Sequence, residues 1–314
     1  MRKVAVFNDT APSRHFGCEA VMAAIETNVA ARSGHIIHRH TVGNPWETDP
    51  AALKAIEDAD IILVNGEGTI HHGTPAAASL ARLAPYCRAR GKRCYLINAM
   101  IQSNKPAIMS DLAAFDAVWV RERQSAQEAE QSGVPAELCG DLTFFHDLPR
   151  HEDGKGRGLV LDSADPRITT RMAKIAATLK ADFVAMRHNK KGMKAYRKQP
   201  LRWRYEAGKP TALVRGIITF RQFAAFLAGR PFLVTGRFHG LCFAINSRVP
   251  LVAVPLSVWK SDALLRDIGL PPTRLFRDDA IPKPFSAQEE TLISAYLADI
   301  RGRIAAMFDR ILPS

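Results

Sequence analysis

The residues best suited to chemistry lie in the turn Thr235-Gly236-Arg237-Phe238-His239-Gly240. The apolar run Phe232–Thr235 stops there, and Leu241-Cys242-Phe243-Ala244-Ile245 begins a helical pattern. Arg237 and His239 therefore fall at a helix N-terminus, where backbone N–H groups and the helix dipole already favour an anion. Arginine adds a planar fork matched to carboxylate or phosphate. Histidine supplies a second donor, or a general acid or base near neutral pH. The flanking Gly236 and Gly240 would let a ligand approach the backbone closely. Lys260 follows the apolar run Leu251–Pro255 and lies at the same end of its strand.

A second polar strand end is Asn65-Gly66-Glu67-Gly68-Thr69-Ile70-His71-His72-Gly73, after the apolar run Ile61–Val64. Glu67 between two glycines is a candidate general base. Adjacent histidines point in different directions and no carboxylate stands at ligand spacing from them, so no metal site is expected here. A third is the loop from Asn8, Asp9 and Thr10 to Arg14, His15, Phe16 and Gly17, rich in donors and acceptors but lacking Gly-x-Gly-x-x-Gly spacing. The fourth, Cys139-Gly140-Asp141, is as consistent with a turn as with a ligand.

Strands and helices must alternate to position these ends. Apolar runs at Val4–Phe7, His35–His40, Ile61–Val64, Cys94–Asn98 and Ala117–Val120 alternate with helical periodicity at Cys18–Ala31, Ala51–Ala59, Pro75–Arg90 and Gln124–Gln131. The polar, glycine-rich segment His151–Arg157 marks a boundary. Beyond it come strands at Gly158–Leu161, Phe183–Met186, Phe232–Thr235 and Leu251–Pro255, with helices at Thr170–Leu179, Thr219–Ala228 and Gly240–Asn246. Continuously apolar strands alternating with helices imply α/β architecture with parallel sheets covered on both faces. The expected organisation is two Rossmann-like doubly wound domains, 1–150 and 151–285, facing a cleft, followed by a C-terminal helical segment, 286–314. Ligands are expected beyond the carboxyl ends of the strands.

The chain has 314 residues, 47% hydrophobic and 24% charged, as a globular protein does. No apolar run approaches the roughly 20 residues of a membrane span, and the N-terminal run breaks at Asn8-Asp9, too early for a signal peptide. A cytoplasmic protein is expected. Cys18, Cys87, Cys94, Cys139 and Cys242 form no Cys-x-x-Cys pair, so buried reduced thiols are expected rather than zinc or disulfides. The formal charge of +12 calls for an anionic partner. Its densest stretch, 187–205, interleaves Lys190, Lys191, Lys194, Arg197, Lys198 and Arg202 with Tyr196, Trp203 and Tyr205. Peripheral contact with an anionic membrane face through this stretch is the preferred reading, with a solvated loop as the plain one. No nucleic-acid-binding motif accompanies the charge, and nucleic acid is not expected as a partner.

Taken in order, these features resemble the polysaccharide pyruvyl transferase family. The resemblance runs from the first strand and its Asn-containing loop, through Val64-Asn65-Gly66-Glu67-Gly68-Thr69, Arg121-Glu122-Arg123-Gln124-Ser125, Gly133-Val134 and Asp141, to Gly236-Arg237-Phe238-His239-Gly240, Val249-Pro250 and Lys260. It implies a fold like that of two-Rossmann-domain (GT-B-like) glycosyltransferases, with the C-terminal helix packing back across the domains. It also implies phosphoenolpyruvate as donor, a ketal-linked pyruvate on a surface glycan or its lipid-linked precursor as product, and no metal or other cofactor. Arg237 would then pair with the donor carboxylate or phosphate, His239 would act as the acid, and Lys260, Gly236 and Gly240 would complete the donor site. Asn8, Asp9, Arg14, His15, Asn65 and His71 would line the acceptor side. Gly236 stands where the family has serine, and Glu67 where many relatives have glycine. The alternative donor is a nucleotide-activated sugar, such as a CMP-linked acidic sugar, in surface polysaccharide assembly, with Glu67 activating the acceptor hydroxyl. Arg237→Ala is expected to abolish turnover with the fold intact.

Overall fold

The computed structural model describes residues 1–187, 217, 219–255, 258–275 and 281–313. They divide into two compact units: Met1–Pro12, Val21–Phe145 and Ala298–Ser314 form unit 1, and Ser13–Ala20 with His146–Leu297 form unit 2.

Unit 1 carries strands β1 (Arg2–Asp9), β2 (Gly34–Thr41), β3 (Ile61–Asn65), β4 (Arg93–Ala99), β5 (Ala117–Val120) and β6 (Glu137–Leu138), hydrogen-bonded in the order β2-β1-β3-β4-β5-β6. Every pair is parallel, so each connection must cross over, and helices do so. These are α1 (Phe16–Ala31), α2 (Pro50–Asp58), α3 (Pro75–Arg88), α4 (Pro106–Leu112) and α5 (Arg123–Gln131). β3 is buried at every position and β1 from Val4 onward, which is why both read as unbroken apolar runs rather than alternating ones. Helix starts are set locally. Asp49 and Thr74 accept the Ala51 and Ala77 N–H groups at 2.9 and 3.2 Å, each followed by proline at the first helical position. The short α4 and the two-residue β6 have too few residues to show periodicity, and the sequence does not announce them.

Unit 2 carries β7 (Leu159–Ser163), β8 (Asp182–Val184), β9 (Leu233–Gly236) and β10 (Leu251–Ala253), parallel in the order β10-β9-β7-β8. Its helices are α6 (Pro166–Thr178), α7 (Phe220–Ala228), α8 (Phe238–Ser247) and α9 (Lys260–Ile268). All ten residues of α8 are buried, so it is covered on every side rather than turning one face to water. The C-terminal helix α10 (Ala287–Ile311) gives its residues up to Leu297 to unit 2 and the rest to unit 1. In each sheet the strand order reverses beside the first strand of the unit, between β1 and β3 and between β7 and β9. These are the topological switch points at which open α/β sheets bind ligands.

The segment Ser13–Ala20 belongs to unit 2 for identifiable reasons. The Phe16 N–H donates to the Met186 carbonyl at 3.2 Å, and His15 forms an antiparallel bridge with Arg187. The Phe16 ring stacks on Phe223 with centroids 4.7 Å apart. His146 Nε2 lies 2.7 Å from the Ala20 carbonyl and donates to it.

Burial, helped by the Arg221 charge, holds the His146 imidazole below the ordinary value of 6.5, against the opposing pull of that hydrogen bond. Below about pH 6.5 the unfolded chain therefore binds a proton that the folded chain refuses. Stability falls as pH drops from there toward the folded value, by up to about 1.4 kcal/mol per pH unit for this one group. His146→Gln keeps a donor for Ala20 but does not titrate. In urea unfolding at pH 7.5 and 5.5 the variant is expected to lose less stability on acidification than the parent, and an equal loss would show that His146 is not the group involved.

Candidate functional site

At the carboxyl edge of the first sheet, three asparagines meet across β1, β3 and β4. Asn8 Nδ2 donates to the Asn65 carbonyl at 2.6 Å and to Thr69 Oγ1 at 3.2 Å. Asn98 Nδ2 donates to Asn65 Oδ1 at 3.2 Å, and Asn98 Oδ1 accepts the Leu142 N–H at 3.1 Å. Asn65 Nδ2 reaches Glu67 Oε2 at 3.3 Å. Asn8 and Asn98 both have left-handed backbones (φ 62° and 57°), a conformation that asparagine tolerates better than most residues. Glu67 does so too (φ 36°), a costlier choice for its longer side chain. All four are buried. The network thus holds a carboxylate and its strained backbone in place at the β1/β3 switch point. Asp9 is tied down instead, accepting from Arg39 and from the Ala11 N–H. His71 Nδ1 lies 3.0 Å from that of His72.

Further along the same edge, Arg121 follows β5 with its side chain 1% exposed and donates to Asp141 Oδ2 at 3.1 Å, with Glu122 at 4.0 Å. Asp141 Oδ1 accepts from the Thr143 N–H and hydroxyl. Asp141 is therefore both a turn residue, through the Thr143 N–H two positions on, and the fastener of a buried guanidinium.

The β7/β9 switch point of unit 2 holds the second cluster. Arg237, the N-cap of α8, donates through Nε to Asp162 Oδ1 at 2.9 Å and through Nη2 to Asp162 Oδ2. Asp162 also accepts the Met186 N–H at 3.1 Å, so one carboxylate joins the ends of β7, β8 and β9. Arg237 Nη1 makes no hydrogen bond among the described residues. The bidentate pair bears on one expectation: Arg237→Ala would strand a buried Asp162, so it is expected to cost stability as well as turnover. His239 packs on His15 with ring centroids 5.4 Å apart. His15 Nδ1 accepts the Gly17 N–H at 3.1 Å, which places the proton of its neutral form on Nε2. Burial, then the charges of His239, Arg237, Arg187 and Lys260, hold His15 well below the ordinary histidine value. Three cations, one of them paired with Asp162, thus act on one buried imidazole, surroundings that favour an anion. Lys260, the first residue of α9, lies with its Nζ 5.8 Å from the Phe238 ring centroid.

The glycines divide by cause. A Cβ on Gly17 would lie 2.2 Å from His239 Cγ, so the approach of α1 to His239 requires glycine. A Cβ on Gly240 would meet Leu161 and Thr235 at 2.6 Å, and one on Gly236 would meet Ser163 at 3.0 Å. Strand and helix packing accounts for both of these.

Of the residues singled out in the sequence, Asn8, Asp9, Asn65, Glu67 and His71 lie in unit 1, with Asn8, Asn65 and Glu67 in one network. Arg14, His15, Gly236, Arg237, His239, Gly240 and Lys260 lie in unit 2. His15 sits against His239, whereas Arg14 is exposed. Asp162 and Asn98 are not among the residues singled out, although each ends an apolar run with a polar residue, the same signal that Asn65 carries. The stretch 187–205 lies, apart from Arg187, outside the described residues.

Two doubly wound parallel sheets with polar switch points define a mixed α/β protein of the GT-B-like class. A UDP-GlcNAc 2-epimerase from Methanocaldococcus jannaschii superposes with a TM-score of 0.50 at 11% identity, over 94% of this chain and 99% of that one. A candidate UDP-N-acetylglucosamine 2-epimerase from Listeria monocytogenes gives 0.50 at 12%, over 96% and 90%. A UDP-glucosyltransferase from Polygonum tinctorium gives 0.45 at 10%, over 99% and 93%. At such identities the likeness to the two epimerases speaks to fold alone. No curated protein matches the chain significantly. The family model for polysaccharide pyruvyl transferase matches residues 15–257, a span that contains both switch-point clusters from His15 onward. The chain belongs to the polysaccharide pyruvyl transferase family and is a transferase. No helix among the described residues is long and apolar enough to cross a membrane.

Proposed function

We propose that the protein transfers a pyruvyl group from phosphoenolpyruvate to a sugar of a cell-surface glycan or its lipid-linked precursor, without a metal or other cofactor. The observation that carries this is the cation cluster at the β7/β9 switch point, where Arg237 is clamped by Asp162 beside His239 in a chain of this family. A doubly or triply charged donor suits three cations and a helix N-terminus. With two of its nitrogens on Asp162, the guanidinium is pre-oriented and offers Nη1 to a donor oxygen. His239 protonates the methylene carbon of the enol, leaving an electrophilic carbon bearing the carboxylate and the phosphate. Two acceptor hydroxyls add there and phosphate departs, giving the ketal. Of the two hydroxyl protons, one replaces that spent on the new methyl group and the other leaves with phosphate. Glu67, held by Asn65, is the proposed base for an acceptor hydroxyl. Asn8, Asp9, Arg14, His15 and His71 are proposed to contribute to acceptor binding, and Gly236, Gly240 and Lys260 to donor binding. For a lipid-linked acceptor, the basic stretch 187–205 would hold the enzyme on an anionic membrane face.

Thermal unfolding in the presence of phosphoenolpyruvate, and separately of cytidine and uridine nucleotide sugars, tests the donor. A ligand at 100 times its Kd adds about 2.7 kcal/mol by mass action, so phosphoenolpyruvate is expected to raise the midpoint by several degrees. Stabilisation by a nucleotide sugar, with none by phosphoenolpyruvate, would reassign the enzyme to glycosyl transfer.

A further inference from the structure

The five cysteines are all reduced thiols, and four of them are buried: Cys87, Cys94, Cys139 and Cys242. Burial, with Cys87 adjoining, drives Cys94 well above the ordinary thiol value, and burial pushes Cys139 up to about 12. These are inert packing residues. Cys18 differs in each respect. It is partly exposed, it lies in the first turn of α1, and its sulfur belongs to a compact cluster with His15 and His239. One ligand atom from each of the three lies within 4.8 Å of the others. The cations Arg237, Arg187 and Lys260 act on the His15 member of that cluster.

The same three side chains have the donor types of a zinc site, but their setting weighs against a dication. The surroundings carry three positive side chains, one of them paired with the Asp162 carboxylate, and two helix N-termini, and a Cys-His-His set brings a single negative charge when ionised. What such surroundings favour is an anion, and the sulfur is the one member of the cluster that can become one.

We infer that Cys18 is an activated thiol built into the anion cluster, and that electrophiles and hydroperoxides close this site by modifying it. With an alkylating agent such as iodoacetamide, the thiolate displaces iodide and forms a thioether. With a hydroperoxide, the sulfur is oxidised to the sulfenic acid while the O–O bond is reduced, releasing hydroxide or alkoxide. In both cases the thiol proton passes to solvent. Either product puts new atoms beside the imidazole of His239 and removes negative charge from the sulfur. The inference rests on reading the cluster as an anion site, and the experiment separates the two ideas.

The full-length protein is treated with iodoacetamide across pH 6 to 9, and the rate at each cysteine is read by peptide mass spectrometry, with glutathione as the ordinary-thiol reference. Cys18 is expected to react at least about tenfold faster than the other four, and to retain at pH 7 a much larger share of its pH 9 rate than glutathione does. Arg237→Lys, which keeps the charge but loses the bidentate clamp, is expected to leave most of that profile intact, and Arg237→Gln to move it toward glutathione. Inorganic phosphate is expected to slow Cys18 selectively. A Cys18 profile matching glutathione, or one indifferent to Arg237→Gln, overturns the activated thiol. An activated Cys18 that phosphate does not protect overturns its placement in the anion site. Neither result depends on turnover with phosphoenolpyruvate, so each stands apart from the proposed reaction.

Discussion

Arg237→Lys is expected to lower kcat/KM for phosphoenolpyruvate by about two to three orders of magnitude while the unfolding midpoint barely moves. Lysine keeps the charge, but it cannot reproduce a fork with two nitrogens on Asp162 and a third left for the proposed donor. Arg237→Ala should be at least as inactive and also less stable by about 3 kcal/mol, because the Asp162 side chain, 10% exposed, loses the partner that justified its burial. The double variant Asp162→Asn with Arg237→Ala separates the two effects. Asparagine still accepts the Met186 N–H and carries no charge, so much of the lost stability should return while activity stays absent. Urea denaturation and initial-rate kinetics on the four proteins decide the matter. Near-parental activity in Arg237→Ala would remove this residue from the site. Failure of the double variant to regain stability would mean that the pair is not what makes the single variant fragile.

The second large effect is expected at a residue with no chemistry of its own. Gly17→Ala places a methyl carbon 2.2 Å from His239 Cγ and 2.3 Å from its Cβ. Those atoms sit next to the backbone of a fully buried helix, so they cannot swing aside as the tip of a long side chain would. Either the start of α1 or His239 must move. Overpacking of this kind costs about 1–3 kcal/mol, and an ångström of displacement at an acid costs about a hundredfold in rate. The expected result is a folded protein with a lowered midpoint and about one per cent of parental activity. Gly302→Ala is the control. Its Cβ would meet nothing within 4 Å on α10, and alanine there should be neutral or slightly stabilising. Gly17→Ala with unchanged activity would show that His239 does not depend on this approach.

Much of this protein follows from local sequence. The unbroken apolar runs at Val4–Phe7 and Ile61–Val64 already require strands covered on both faces, since an alternating pattern would leave one face in water. Asp49-Pro50 and Thr74-Pro75 mark helix starts because a side-chain acceptor and a residue without an N–H meet the same local need. The polar residues after those runs, Asn8, Asn65, Glu67, Arg237 and His239, were legible as site candidates for a related reason: a polar group directly after a buried strand emerges at the strand's carboxyl end. The order of these motifs also sufficed to suggest the family.

Partnership was not legible, because it is fixed by which strands lie side by side. Asp162 and Arg237 are 75 positions apart and meet only because β7 and β9 are neighbours in the second sheet. Asn98 joins Asn65 because β4 follows β3 across the first sheet. The loop from Asn8 to Gly17 reads as one polar stretch, yet backbone bonds to Met186 and Arg187 assign Ser13–Ala20 to the second unit and set His15 and Cys18 beside His239. Even Gly17, which in sequence is an ordinary glycine at a helix start, owes its identity to a histidine far along the chain. Local sequence determined which backbone ends are polar. Tertiary structure decided which of them share a charge, because electrostatic and steric coupling fall off over a few ångströms and take no account of distance along the chain.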